Sequence, residues 1–150
     1  MRKKRHFVDG AIYHVTSRTN NKVKIFENRV GRKIMTIILR EAKEKFNFKL
    51  YNFCIMPTHI HLLIEPAKET GLNKIMQWIK TNSAKSLNRI FYSIDHLWGH
   101  RYYARIIKNQ NDFETVMRYI DENPVKEGLV TAAKKWTASG AYYRAHEVEF

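Results

Sequence analysis

The segment 48–65 restricts the fold of this chain more than any other part of the sequence. It contains two β-rich runs, FKLYNFCI at 48–55 and HIHLLIE at 59–65, separated only by the tripeptide MPT. Because proline fixes φ and cannot donate to a sheet ladder, the short connection is a turn. Strands joined so closely can pair only in the antiparallel direction. The segment therefore predicts a β-hairpin at the centre of the fold.

Periodicity elsewhere predicts two more strands and three helices. Alternation favours strands at 11–17 and 102–107, the first followed by a turn at 19–21. The helices are marked by apolar residues at helical spacing. The third, 112–122, is expected to be capped by Asp112 and to end before Pro124. Apolar stripes mark the first two helices: Val30, Ile34, Ile37, Ile38 and Ala42, then Leu72, Ile75, Met76, Ile79, Leu87 and Ile90.

The order strand, helix, strand, strand, helix, strand is the split βαβ arrangement of ferredoxin-like folds. We therefore predict an α+β fold, an antiparallel sheet with helices on one face, plus the C-terminal helix 112–122, which carries Tyr119. The chain has 150 residues and shows no repeat or linker, so a single domain over 1–150 is expected. Residues 1–8 are interpreted as a flexible basic tail.

The charge of the chain indicates which chemical classes of partner it can bind. Lys and Arg number 27 against 14 Asp and Glu, a net charge of +13, which favours a polyanion such as nucleic acid or an anionic membrane. No segment has the roughly 20 apolar residues of a membrane span. A single cysteine, Cys54, excludes an internal disulfide. We expect a cytoplasmic, nucleoid-associated protein that has no membrane partner.

The third strand carries a pair of histidines on one side. Residues i and i+2 of a strand point to the same face, so His59 and His61 project together while Ile60, Leu62 and Ile64 point the other way. Two imidazoles on the open face of a sheet can chelate one divalent metal. The same pattern also fits two surface histidines on a hydrated strand, so the pair alone does not distinguish a metal site from an ordinary surface.

The third helix offers a nucleophile and a further ligand. Its buried stripe is Phe113, Val116, Met117 and Ile120, and Tyr119 lies roughly 110° from the centre of that stripe. Asn123 follows one turn later on the same flank. A border tyrosine and an asparagine cap beside a proline would give the same pattern.

These residues fit one mechanism. A phenol is a weak nucleophile at its usual pKa of about 10. A metal that polarises the scissile phosphate would lower the barrier to attack by Tyr119. Asn123 would supply its amide oxygen as the third metal ligand beside His59 and His61. The product would be a covalent phosphotyrosine that conserves the bond energy for rejoining.

Four motifs resemble the HUH single-tyrosine transposases, in which two histidines flank a hydrophobic residue. The likeness is greatest to the insertion-sequence-200-like superfamily, especially its REP-associated branch, and it covers nearly the whole chain. Each motif alone is weak, but four in this order and spacing are specific. The motifs are GAIYHVTSR at 10–18, MPTHIHLL at 56–63, HLW with RYY between 96 and 103, and RYIDENPV at 118–125.

The resemblance implies roles for individual residues. Tyr119 corresponds to the family's nucleophile, and His59, His61 and Asn123 correspond to its metal ligands. It further implies Mg²⁺ or Mn²⁺ as the cofactor, whereas two imidazoles alone would also allow Zn²⁺. It implies a 5′-phosphotyrosine, a free 3′-OH, and recognition of hairpins or palindromes in single-stranded DNA.

A basic face on the second helix favours DNA contacts. Lys74, Trp78 and Lys85 recur opposite the apolar stripe and Arg89 extends the run, which suits phosphate contacts and stacking. An ordinary solvated helix face would look the same. Further phosphate candidates flank the sheet edges: Arg18, Arg101 and Arg105.

Two other functions remain open at this point. One is a non-catalytic hairpin DNA- or RNA-binding domain derived from a transposase, which the charge and the 13 % aromatic residues would also suit. The other is a phosphoesterase that uses activated water. The resemblance allows either a monomer or a homodimer, and the Asn-Pro sequence at 123–124 favours the REP-associated branch, which includes monomers.

Overall fold

The central hairpin forms as the sequence predicts and is extended on one side by two further strands. The computed structural model describes residues 4–92 and 96–150, and within them a four-stranded antiparallel sheet has the order β2-β3-β1-β4. This order is the split βαβ topology, so the predicted fold class is confirmed. The strands are β1 (Tyr13–Arg18), β2 (Lys49–Met56), β3 (His59–Glu65) and β4 (Tyr103–Ile106). The α-helices are α1 (Arg29–Phe46), α2 (Leu72–Phe91), α3 (Gln110–Lys126) and α4 (Gly140–Ala145).

The two faces of the sheet differ in chemistry. One, the apolar face, is lined by Val15, Ile60, Leu62 and Ile64, all at most 1 % exposed. Helices α1 and α2 pack against each other and cover this face. The other, the histidine face, carries His14, Thr16, His59 and His61. Helix α3 packs across it, against β2 and β3.

Register fixes which residues meet on the histidine face. Thr16 pairs with His61, and Arg18 pairs with His59, along the β1–β3 ladder. On the other side of β1, Thr16 pairs with Tyr103 of β4. Directly paired residues of antiparallel strands lie on the same face. Side chains of β1 and β4 therefore lie in line with the histidine pair of β3.

Helix α3 differs from its predicted bounds at both ends. The N-cap is Asn109, whose side-chain oxygen accepts from the backbone N–H of Asp112 at 2.8 Å. Asp112 is thus not the cap; its carboxylate accepts two bonds from Arg105 instead, at 2.9 and 3.0 Å. Pro124 lies inside the helix, which continues to Lys126. A proline inside a helix lacks a donor and crowds the carbonyl four residues earlier, and here the helix ends within one turn of it.

The buried side of α1 is rotated from its predicted position. Val30 and Ile37, expected in the stripe, are 49 % and 42 % exposed, whereas Met35 and Leu39 are buried. Gly31 explains the rotation, because a Cβ at this position would collide with the backbone carbonyl of Ile25. The helix therefore turns its glycine toward the 3₁₀ helix Ile25–Glu27 that precedes it, and the residues near Gly31 set the buried side.

The C-terminal segment, which sequence reasoning left without a predicted element, lines the outer edge of β2. The Trp136 indole N–H donates to the Ile55 carbonyl, and the Ile55 N–H donates to the Ala138 carbonyl, both at 2.9 Å. From α4, Arg144 forms an ion pair with Asp121 of α3 at 2.6 Å. These contacts hold α3 against the sheet from its outer side. The segment includes the 3₁₀ helix Ala133–Lys135; two others, Asn20–Lys22 and Ile25–Glu27, follow β1.

The N-terminal residues make defined contacts where the structure describes them. Residues 1–3 of the predicted tail lie outside the described residues. Arg5 stacks its guanidinium 3.6 Å from the centre of the Tyr102 ring and donates to the Asn73 side chain at 3.2 Å. None of the described helices is both long enough and apolar enough to cross a bilayer.

Candidate active site

The two histidines of β3 lie side by side, as their spacing predicts. Their ring centroids are 4.9 Å apart and the rings are perpendicular. The face they share is not open, however, because α3 covers it: His59 is 6 % exposed and His61 only 2 %. The histidine pair is therefore buried, unlike two surface histidines on a hydrated strand.

His61 has a hydrogen-bond partner at each ring nitrogen. The amide nitrogen of Asn123 lies 2.9 Å from Nε2. Because an amide nitrogen can only donate, Nε2 accepts and Nδ1 carries the proton. Nδ1 in turn lies 3.1 Å from Nε2 of His14 and 3.2 Å from the Thr16 hydroxyl, so it donates to one of them. Partners at both nitrogens thus hold the ring of His61 in one orientation.

Tyr119 stands over these rings. Burial of Val116 and Ile120 sets the rotation of α3, which leaves Tyr119 at the border, 45 % exposed. Its ring centroid lies 5.5 Å from that of His61 and 5.9 Å from that of His14, edge-on to both. Asn123, one turn later, is 7 % exposed. The predicted nucleophile, the histidine pair and the predicted amide ligand are therefore brought together within one chain.

Burial keeps all three histidines of the site neutral. It lowers the pKa of His61 to about 3, assisted by the neighbouring His59, His14 and Arg18. The pKa of His59 falls to about 4 through burial and the charge of Arg18. The pKa of His14 also falls to about 4, through burial and Arg105, opposed in part by Asp112. At neutral pH each ring therefore offers a free lone pair instead of a positive charge.

The donor set at this site suits a divalent cation. The described residues contain no cluster of three His, Cys, Asp or Glu side chains that could hold a metal, so the set is two imidazoles and one amide. The nitrogen of this amide faces His61, and a half-turn of the amide places its oxygen there.

Sequence reasoning missed two side chains of this site, His14 and Thr16, and it did not place Tyr103 on the same face. The alternation of β1 was visible, and it places His14, Thr16 and Arg18 on one face. What the sequence does not contain is the β1–β3 register, which sets these side chains against His59 and His61. Tyr103 reaches the same face only through the β1–β4 register.

The predicted DNA-binding residues separate into two groups. Arg18 of β1 pairs with His59 of β3, and Arg105 of β4 pairs with His14 of β1, so both arginines lie on the histidine face. Arg101 is exposed just before β4. The α2 residues lie on the helix layer, across the sheet from Tyr119. Lys74 and Trp78 line a groove of about 580 Å³ there, while Lys85 and Arg89 are exposed further along α2.

A family model described as "Transposase IS200 like" matches residues 7–123, which include the histidine pair, Tyr119 and Asn123. The chain belongs to the family of IS200-like transposases. Within that family it resembles REP-associated tyrosine transposases. A candidate REP-associated tyrosine transposase from Haemophilus influenzae is 26 % identical over 146 residues, covering 91 % of this chain and 82 % of that protein.

Solved structures share the fold. A REP-associated tyrosine transposase bound to a REP hairpin superposes with a TM-score of 0.83 at 18 % identity, over all of this chain and 88 % of that one. A candidate transposase from Deinococcus radiodurans R1 gives a TM-score of 0.58 at 20 % identity, over 81 % of this chain and 97 % of that one. At these identities the likeness establishes the architecture.

Proposed function

We propose that this transposase nicks and rejoins single-stranded DNA at hairpins through a covalent bond to Tyr119. The observation that carries the proposal is the position of the Tyr119 ring, 5.5 Å from a buried histidine that is itself bonded to Asn123. A tyrosine at a helix border needs no such neighbours for stability. A nucleophile needs them, because its target phosphate must be held and polarised beside it.

The proposed reaction is a phosphoryl transfer in two steps. The Tyr119 oxygen attacks the phosphorus and loses its proton to water, and the bond from phosphorus to the 3′ oxygen breaks. The 3′ oxygen leaves as a hydroxyl, and the 5′ side remains bound as a phosphotyrosine. In the second step a 3′-OH attacks that phosphotyrosine and restores both a phosphodiester and the free phenol. No high-energy cofactor is consumed, because the phosphotyrosine conserves the bond energy.

Divalent metal binding is part of the proposal. His59, His61 and the Asn123 amide would hold Mg²⁺ or Mn²⁺, which when bound would polarise the phosphate and offset its charge. Either His14 or Thr16 accepts the single proton on Nδ1 of His61, which would leave the Nε2 lone pair directed at the cation. Arg18, paired with His59 and exposed, would contact the flanking phosphate.

DNA hairpins are the proposed substrate. The relative of similar fold is bound to a REP hairpin, and this chain has a net charge of +13. All four residues proposed for the chemistry come from one chain, which supports a monomer as the active form. Association with the nucleoid would follow from DNA binding.

Covalent adduct formation tests this proposal. Hairpin oligonucleotides with single-stranded flanks are incubated with the protein and Mn²⁺, and the products are separated on denaturing gels. We expect a protein–DNA adduct that Tyr119→Phe abolishes. Tyr92→Phe is the matched control, since Tyr92 is 88 % exposed at the end of α2, and it should form the adduct normally.

Other outcomes would replace the proposal with a different function. An adduct that persists in Tyr119→Phe would show that another residue is the nucleophile. Cleavage that survives Tyr119→Phe but not His61→Ala would indicate a phosphoesterase that activates water. Hairpin binding without cleavage under any divalent metal would favour a non-catalytic binding domain.

A further inference from the structure

A row of paired residues runs across the histidine face and ends at an exposed tyrosine. Cys54 pairs with His61, His61 with Thr16, and Thr16 with Tyr103 on the edge strand β4. Directly paired residues lie on one face, so Tyr103 shares the face of the histidine pair. It lies two strands from His61, or about 10 Å by the usual strand spacing.

Tyr103 makes little contribution to packing. It is 68 % exposed, whereas Tyr102, which points the other way, is 7 % exposed and packs against Arg5. Within the described part of the chain no hydrogen bond engages the Tyr103 hydroxyl. A single exposed ring is ordinary on a protein surface, so its meaning depends on the groups around it.

Two arginines lie near Tyr103, one of them paired with a carboxylate. Arg105 follows two residues later on the same face, and its guanidinium is fixed by two bonds to Asp112, at 2.9 and 3.0 Å. Arg18 extends from the adjacent strand. An aromatic ring flanked by arginines is the combination by which proteins bind single-stranded nucleic acid, the ring stacking on a base and the cations contacting the backbone.

We propose that Tyr103 is a stacking platform for an unpaired base next to the scissile phosphate. The inference rests on the proposed function, since it assumes that DNA reaches Tyr119. It adds a binding site for a nucleobase at the β4 edge, separate from the residues proposed for the chemistry. Stacking requires the ring and not the hydroxyl, so Tyr103→Phe should retain the platform and Tyr103→Leu should remove it.

The test measures binding without cleavage. All variants are made in a Tyr119→Phe background and studied in EDTA. The probe is a hairpin oligonucleotide with single-stranded flanks that carries 2-aminopurine at one flank position at a time. Stacking on an aromatic ring quenches this fluorophore. Tyr92→Asn is the matched control, because Tyr92 is an exposed aromatic in a left-handed conformation that asparagine also adopts.

We expect quenching at one flank position that survives Tyr103→Phe and Tyr92→Asn and disappears in Tyr103→Leu. Loss of one stacked base should weaken binding about 5- to 100-fold. Tyr103→Thr provides a second ring-free variant that suits a strand if the leucine variant does not fold.

Three results would overturn the inference. One is quenching and affinity that Tyr103→Leu and Tyr103→Thr leave unchanged. A second is an equal loss in Tyr103→Phe, which would assign the effect to the hydroxyl. The third is an absence of hairpin binding by every variant, which would refute the proposed function itself and the platform with it.

Discussion

The two faces of the sheet use the same strands for opposite purposes. On the apolar face Val15, Ile60, Leu62 and Ile64 pack beneath α1 and α2 and supply stability through burial of apolar area. On the histidine face the alternate residues include three imidazoles, which are held neutral under a single helix. Burying polar groups lowers stability unless each is hydrogen-bonded. The comparison shows that β3 alternates between residues that hold the fold together and residues placed for chemistry.

The largest expected effect is on the apolar face. Leu62→Ala removes a side chain that is 0 % exposed, which should lower the free energy of unfolding by about 2–5 kcal/mol. Urea unfolding followed by circular dichroism measures this. Adduct formation per folded molecule should change little. A variant as stable as the parent would show that the apolar face is not where the stability resides.

His61, the neighbour of Leu62 in β3, lies on the other face of the sheet, and we expect its loss to affect adduct formation. His61→Ala should reduce adduct formation with Mn²⁺ by at least about 100-fold, because the imidazole proposed to hold the cation is lost. Mn²⁺ affinity, measured by titration calorimetry, should fall with it. His146→Ala, at an exposed histidine after α4, is the control and should match the parent. Undiminished Mn²⁺ binding by His61→Ala would remove this residue from the metal site.

The neutral histidines should make stability depend on pH. An unfolded histidine has a pKa near 6.5, while burial lowers the pKa of His61 to about 3 and those of His59 and His14 to about 4. Below 6.5 the unfolded chain therefore binds protons that the folded chain does not. Stability should be complete above pH 6.5 and fall as the pH decreases toward 4.

Thermal melts without divalent metal between pH 7 and 5 measure this dependence. The slope should approach roughly 1 kcal/mol per histidine and pH unit. His61→Asn should have a shallower slope than the parent. A melting temperature that is flat over this interval would mean that the three rings are protonated as easily in the folded chain as in the unfolded one.

The smallest expected effect is on DNA binding, and it distinguishes which face of the sheet the DNA contacts. If the strand crosses the histidine face, Arg18→Gln should weaken hairpin binding and reduce the slope of log K against log salt by about 1. Lys85→Gln, on α2 across the sheet, should leave this slope nearly unchanged. Fluorescence anisotropy at several salt concentrations measures both. A larger effect of Lys85→Gln would place the DNA on the helix layer instead.

The strands and the histidine pair were predictable because their signals are local. Alternation in HIHLLIE alone defines β3 and the common face of His59 and His61. The contact of His14 with His61 was not predictable, because it depends on the pairing of segments 47 residues apart. The burial of Asn123 depends on α3 crossing the sheet, which helical periodicity does not specify. Pro124 was expected to end α3, but the helix continues to Lys126 and so ends within one turn of the proline.

The candidate site is complete within one chain of the structure, and this has a consequence for how the activity should depend on protein concentration. A site shared between two chains would be lost on dilution below the dissociation constant of the dimer. In the structure Tyr119, Asn123 and His61 lie together in one chain. Because α3 is tied to the sheet through Asn52, Asp121 and Arg144, we expect the site to survive dilution. The proposed activity per molecule should therefore be as high for the few copies present in a cell as it is in a concentrated solution.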